Sequence, residues 1–246
     1  MNLILLEADE LKTTTDVTLT GARAAHLLQV LKVKTGQPVR VGLLNGPLGT
    51  ATVTSLGDGT VTMTCELEKT CPERPRVDLL LALPRPKVMR RLWAQLSALG
   101  VGQIILTNAE RVERNYFDTH VLTPEFYRPL LIEGLQQARD TRLPVVSIHR
   151  QLKVLVEDQL ATLSDADTRI VAQPAVEMTV GDSVRGRAAG RVLLAVGPEG
   201  GWNAFELRLL ETHGFQLVGM SPRTLRVDTA CIALLTLVHS AMQGGS

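Results

Sequence analysis

Three loops in the C-terminal half carry the residue types from which a ligand site can be built. Gln173-Pro174 follows the apolar run Ile170-Val171-Ala172, and Gly197-Pro198-Glu199-Gly200-Gly201 follows Leu194-Ala195-Val196. Met220-Ser221-Pro222-Arg223-Thr224-Leu225-Arg226 follows Leu217-Val218-Gly219. Each apolar run reads as a strand, and each loop behind it contains a proline. A proline fixes the local chain direction, so these loops present peptide N–H and C=O groups at set angles. That suits a ligand read mainly by backbone hydrogen bonds, and an adenine edge is such a ligand. A proline also simply stops a strand; it is the recurrence at three strand ends that points to a shared site. The phosphate-loop alternatives fail on residue type. The 197–201 turn carries Glu199 and no lysine, so it is not GxxxxGK followed by Ser or Thr, and Pro198 and Glu199 separate Gly197 from Gly200, which breaks GxGxxG. Asn203 with Glu206 forms a variant capping box, so a helix starts directly behind the turn. An ordinary strand-to-helix connection has the same local appearance.

The elements that must hold these loops fall into two halves with different periods. Over 37–67, Val39 and Val41 alternate with Arg40, and Val61, Met63, Cys65 and Leu67 alternate with Thr62, Thr64 and Glu66, as in strands with one buried face. Asn45-Gly46-Pro47 and the hairpin dipeptide Asp58-Gly59 punctuate them, which predicts a small antiparallel sheet or barrel behind a helix over about 22–31. Cys71-Pro72-Glu73-Arg74-Pro75 reads as a linker. Beyond it, apolar strands at 77–83, 103–106, 145–148, 169–172, 191–196 and 215–219 alternate with helices, one over 88–99 with the stripe Met89, Leu92, Trp93, Leu96 and Leu99, another starting at Thr123-Pro124. The alternation predicts an α/β domain with a mostly parallel sheet, whose ligands bind at the carboxyl ends of strands.

The chain of 246 residues is 45% hydrophobic, ample for a buried core, and its 26 Lys and Arg against 25 acids provide no global field for a polyanion. Cys65, Cys71 and Cys231 form no CxxC pair and are odd in number, which argues against a disulfide framework or a zinc site and suggests a reducing cytoplasm. The five histidines lie scattered without ligand spacing, so no metal is expected. The opening apolar segment is too short for a signal peptide and the apolar stretch 230–238 too short for a membrane span.

In this order the motifs resemble the SPOUT-class methyltransferases, specifically the RsmE-type ribosomal RNA uridine-N3 methyltransferases. GPEGGWNAFE (197–206) and MSPRTLRVDTA (220–230) are similar to that family's GPEGG and LGxRILRxETA. Ala25-His26-Leu27 through Val33, Pro84-Arg85, Ala98-Leu99-Gly100-Val101, and Gln137 and Pro144 resemble further elements of the family, so the resemblance spans nearly the whole chain. It implies a trefoil-knotted SPOUT methyltransferase domain at 76–246 and a small β-rich, PUA-like RNA-binding domain at 1–72. It also implies a homodimer, with ribosomal RNA or the small ribosomal subunit as partner and no membrane. The cofactor implied is S-adenosyl-L-methionine, held by Ala172, Gln173 and Pro174, by Val196, Gly197, Pro198, Gly200 and Gly201, and by Met220, Ser221, Thr224 and Leu225. Met220 and Leu225 would face the adenine, while Gly197 and Gly201 permit close backbone approach. Thr224 stands where the family has Ile or Val, Ser221 replaces Gly, Val227 replaces Thr, and Asp228 replaces Glu.

Methylation at uridine N3 removes a ring proton and spreads negative charge onto two carbonyl oxygens. Arg226, with Arg223 second, is the candidate to stabilise it; an ion pair between Arg226 and Asp228 is the competing role. Glu199 faces the sulfonium, accepts a proton, or serves the helix N-terminus behind it. For RNA phosphates the candidates are Arg85, Lys87, Arg90, Arg91, Arg114, Arg142 and Arg223, with Arg111 and Arg139 extending the track and Tyr116 and Phe117 as the aromatics to watch. A solvated helix face accounts equally for Lys87, Arg90 and Arg91. The last-helix stripe Cys231, Leu234, Leu235 and Val238 is either core or dimer interface. Two other functions remain open: ribose 2′-O methylation, and a ribosome-assembly binding protein without catalysis.

Overall fold

The structure, a computed structural model, describes residues 3–11, 15–185, 190–221 and 223–243; Pro222 of the third loop lies outside them. The chain forms two compact units, residues 1–74 with 132–143, and residues 75–131 with 144–246.

The first unit holds β1 (Ile4–Leu6), β2 (Asp16–Leu19), β3 (Pro38–Leu43), β4 (Leu48–Gly57) and β5 (Thr60–Leu67) in one sheet of order β1-β3-β4-β5-β2. Burial alternates along β5, where Val61, Met63 and Cys65 turn inward. Asp58-Gly59 closes the β4–β5 hairpin, with Gly57 opposite Thr60. The helix α1 (Gly21–Ala25) continues into a π-helical turn, His26–Val30, within the span expected for a helix. One strand departs from the antiparallel expectation: β1 runs parallel to β3. It is buried along its whole length because its two faces serve two clusters. Ile4 and Leu6 join the main core with Val17, Val41 and Met63, whereas Leu5, with Leu3, packs on Leu135. Period-two alternation vanishes when both faces are apolar. The second contact also explains why 132–143, expected in the second domain, packs with the first unit.

The second unit alternates strands and helices. β6 (Val77–Ala82), α2 (Pro86–Ala98), β7 (Val101–Thr107), α3 (Pro124–Ala138) and β8 (Val145–His149) come first. The helical pieces α4 (Leu152–Val154) and α5 (Leu160–Leu163), joined by a π-helical turn, lead to β9 (Thr168–Ala172) and α6 (Val180–Val184). β10 (Val192–Val196), α7 (Ala204–Thr212), β11 (Phe215–Val218) and α8 (Val227–Gln243) complete it. The six strands pair in parallel in the order β11-β9-β10-β6-β7-β8. β6 and β10 lie mid-sheet and are buried at every position, as their unbroken apolar runs require. α2 buries Met89, Leu92, Trp93 and Leu96, and the Trp93 indole N–H donates to Val121 O at 3.1 Å. Cys231, Leu234, Leu235 and Val238 of α8 are at most 2% exposed within this chain, so the stripe is core.

Candidate active site

Because β11, β9 and β10 are neighbours running the same way, their carboxyl ends open side by side. The three proline loops therefore meet. Gln173 N donates to Val218 O at 2.9 Å, and Gly219 N donates to Met178 O at 2.8 Å, which straps the end of β11 to the loop behind β9. Behind β10, Gly201 N closes a turn on Pro198 O at 2.8 Å, with Gly201 at φ 75°, a conformation that side chains disfavour. The helix behind that turn is capped as the residues foretold: Asn203 Oδ1 accepts from Glu206 N and Glu206 Oε2 accepts from Asn203 N, each at 2.8 Å.

Between the loops lies a solvent-open hollow of about 680 Å³. Ala172, Gln173, Pro174, Val196, Gly197, Pro198 and Gly201 line it, as do Met220, Ser221, Thr224 and Leu225. Of the residues proposed for the cofactor, Gly200 alone faces elsewhere, into a second hollow on the other side of the same turn. Val218, Val227, Ala230 and Leu234 add apolar wall, and so does Trp202, which sequence reasoning did not select. Trp202 is 4% exposed and its ring lies 3.0 Å from where a Cβ on Gly197 would be; its buried indole N–H has no partner. An aromatic directly after a glycine turn was the only sequence signal for it.

The second hollow, about 470 Å³, is lined by Leu83, Pro84, Arg85, Arg111, Glu113, Tyr116, Pro198, Glu199 and Gly200. Pro198 and Glu199 line both spaces. Glu199 Oε2 accepts from Arg85 Nε at 2.7 Å, and Arg111 donates to the Gly200 carbonyl. The Tyr116 hydroxyl donates to Glu113 Oε1 at 2.9 Å; partial burial and then the Glu113 carboxylate raise its pKa. The wall carrying Arg111 is tied to the helix behind the turn, since Glu110 N donates to Glu206 Oε1 at 2.7 Å.

Residues 72–239 match the RNA methyltransferase domain. The chain belongs to the RsmE family of RNA methyltransferases. It is 31% identical to a ribosomal RNA small subunit methyltransferase E of Treponema pallidum over 242 residues, covering 97% of this chain and 90% of that one. A ribosomal RNA small subunit methyltransferase E 1 of Borreliella burgdorferi is 25% identical over 98% of this chain and 99% of its own length. The fold matches a crystal structure of a ribosomal RNA small subunit methyltransferase E of Neisseria gonorrhoeae bound to S-adenosyl methionine, with TM-score 0.78, 21% identity, and 98% and 97% of the two chains covered.

The other RsmE-type candidates are placed individually. Arg226 lines neither hollow; its side chain is 76% exposed and reaches Asp228 at 3.9 Å. Asp228 is held more closely by Arg91, whose Nη2 donates to Oδ2 at 2.5 Å, and this bond keeps the carboxyl below the usual range. Arg90 stands over the Phe126 ring at 5.6 Å. Lys87 and Arg114 are exposed, and Arg223 lines the first hollow. Arg142 belongs to the first unit, where Nε donates to Pro72 O at 2.6 Å and Nη1 to Asn45 O at 3.0 Å, which engages its guanidinium in holding that unit's backbone. Among the described residues, no group of His, Cys, Asp and Glu could hold a metal ion. No helix among them is long and apolar enough to cross a membrane.

Proposed function

We propose that this chain methylates N3 of a uridine in small-subunit ribosomal RNA, with S-adenosylmethionine as donor. The convergence of three strand-end loops on one nucleoside-sized hollow, in a chain of this family, carries the reading. The residues fit the donor. Apolar wall from Met220, Leu225 and Leu234 suits a purine face, and the peptide groups of residues 172–174, 196–198, 220, 221, 224 and 225 suit its polar edge. When bound, the donor supplies a methyl group on a sulfonium. The uridine gives up its N3 proton as the methyl is gained, so a proton acceptor must stand where donor and acceptor meet; Glu199, the carboxylate lining both hollows, is assigned that role. With Arg226 exposed and turned toward Asp228, the geometry favours for it the ordering of the loop rather than direct contact with the developing charge. Arg85 and Arg111 stand closer to that chemistry.

The finer features follow the family resemblance. A knotted C-terminal domain rests on that resemblance alone, and a PUA-like N-terminal unit on the resemblance together with its β-rich sheet. A homodimer and a cytoplasmic location rest on the resemblance and on the free cysteines. Mass spectrometry of ribosomal RNA nucleosides after gene deletion tests the activity. Loss of 3-methyluridine is expected, while loss of a 2′-O-methyl nucleoside instead would replace the reading. Calorimetry with the donor separates an enzyme from a pure binding protein, for which no heat would appear.

A further inference from the structure

The second hollow faces the first across the Pro198-Glu199-Gly200 turn, and its wall chemistry is specific. Its lining carries two guanidinium groups, two carboxylates and one phenol ring; of the carboxylates, Glu113 accepts from the Tyr116 hydroxyl at 2.9 Å, and Glu199 lines both hollows. One guanidinium, Arg85, is bonded to the Glu199 carboxylate at 2.7 Å; the other, Arg111, is anchored on the carbonyl of the next residue, Gly200. An arginine carries five N–H donors, so each anchored guanidinium retains donors for a ligand, and a carboxylate accepts through either oxygen.

We propose that this hollow is the acceptor-base subsite and reads the Watson–Crick edge of uracil, with Arg85 and Arg111 donating to the two ring carbonyls, Glu199 accepting from N3–H, and Tyr116 stacking on the ring. The proposal rests on the methyltransferase reading above and adds where the acceptor sits and why it is a uridine. Uracil presents acceptor, donor, acceptor along that edge. With Glu113 engaged by the Tyr116 hydroxyl, the two guanidiniums and the Glu199 carboxylate supply two donors and one acceptor, the complement of that edge. Cytosine presents an acceptor at N3 and an amine in place of one carbonyl, so it would set a lone pair against the Glu199 carboxylate and an amine against a guanidinium. Unpaired or opposed polar groups of this kind discriminate more strongly than lost contact area. Base stacking on an aromatic ring is how unpaired RNA bases are held, and Tyr116 is the aromatic residue lining this hollow. The same arrangement places the N3 proton on the carboxylate that lines both hollows. The guanidiniums lie where charge collects on the two carbonyl oxygens as that proton leaves.

The test uses the full chain without the methyl donor. Saturation-transfer NMR follows titration with uridine, cytidine and 3-methyluridine 5′-monophosphates. Uridine monophosphate is expected to bind about tenfold or more tightly than the other two, because each presents a mismatched edge. Glu199→Gln should erase that preference, and Arg111→Met and Tyr116→Ala should each weaken uridine binding about tenfold. Donor affinity by calorimetry should change less than twofold in Arg111→Met and Tyr116→Ala, since neither residue lines the first hollow. Equal binding of the three nucleotides, no binding of any, a preference that survives Glu199→Gln, or donor affinity falling in parallel would each overturn the subsite. A wild-type chain that binds uridine selectively yet neither binds donor nor forms 3-methyluridine would instead defeat the functional reading and leave the subsite standing.

Discussion

At the scale of single residues, Gly197 and Asp228 make the sharpest claims. Gly197 is confined because a Cβ there would lie 3.0 Å from the Trp202 indole, which is itself wall of the donor hollow. Gly197→Val therefore forces the ring to move, an overpacking cost of about 1–3 kcal/mol, and narrows the hollow at the same time. The expected outcome is a native circular-dichroism spectrum, a lowered melting temperature and donor affinity reduced at least about tenfold; unchanged affinity would remove the turn from the site. Asp228 supports a second claim. Hydrogen bonding from Arg91 lowers its pKa in the folded chain, so its contribution to stability is complete above the unfolded-state pKa and fades as pH falls through the lowered folded value. Asp228→Asn should thus be less stable than wild type at neutral pH. The gap should close below pH ~4, as denaturant melts at several pH values would show.

At the scale of elements, the site depends on how strand ends are tied to their neighbours. Glu206 is a capping residue by sequence, but its carboxylate does two things: Oε2 accepts from Asn203 N and Oε1 from Glu110 N, in a position only 4% exposed. Glu206→Gln keeps the shape and turns one acceptor into an amine facing a backbone N–H. A loss of about 1–3 kcal/mol is expected. Because Glu110 adjoins Arg111, the wall of the second hollow should shift and RNA affinity should fall more than donor affinity in filter-binding and calorimetric titrations. The capping half of this was legible, since Asn203 and Glu206 stand at the right spacing. The bridge to Glu110 was not, because it joins residues 96 positions apart. The same distinction holds across the site. Pro174, Pro198 and the 220–226 loop announced themselves as strand ends, and adjacency of β11, β9 and β10 then brought them together. Arg111 and Tyr116 stood out in the sequence only as a basic residue and an aromatic suited to RNA, and Trp202 only as an aromatic behind a glycine turn; which hollow each lines is decided by tertiary packing. Arg142 shows the same limit: charge and neighbourhood suggest RNA, and only the fold reveals that its guanidinium also donates to the carbonyls of Pro72 and Asn45.

At the scale of the whole molecule, the division at Cys71-Pro72-Glu73-Arg74-Pro75 was readable from composition, yet it is only one of the boundaries. Residues 132–143 belong with the first unit, so the chain leaves the second unit and returns to it. The physical reason is the doubly buried strand β1. Leu3 and Leu5 are covered by Leu135, with Ile132 and Leu143 beside it, and Leu3 N donates to Gln136 O at 3.1 Å. Asn45 N donates to Thr141 O at 2.7 Å, and Thr141 Oγ1 donates to Gly46 O at 2.6 Å. A fragment of residues 1–74 would strand the Leu3 and Asn45 N–H donors and the Gly46 carbonyl and uncover one face of β1. Burying each leucine is worth roughly 1.5–3 kcal/mol against a total domain stability of about 5–15 kcal/mol, so removing several such contacts takes away much of what holds a unit of this size. The fragment alone should therefore melt broadly or aggregate, whereas the same fragment with 132–143 joined through a flexible linker should regain a cooperative urea transition. In the intact chain, Leu135→Ala should cost about 2–5 kcal/mol, and hydrogen exchange should show the loss in β1 and β3 before it reaches β6 or β10. A cooperative transition for 1–74 alone, at the midpoint of the linked form, would mean that the returning segment decorates the unit rather than completing its core.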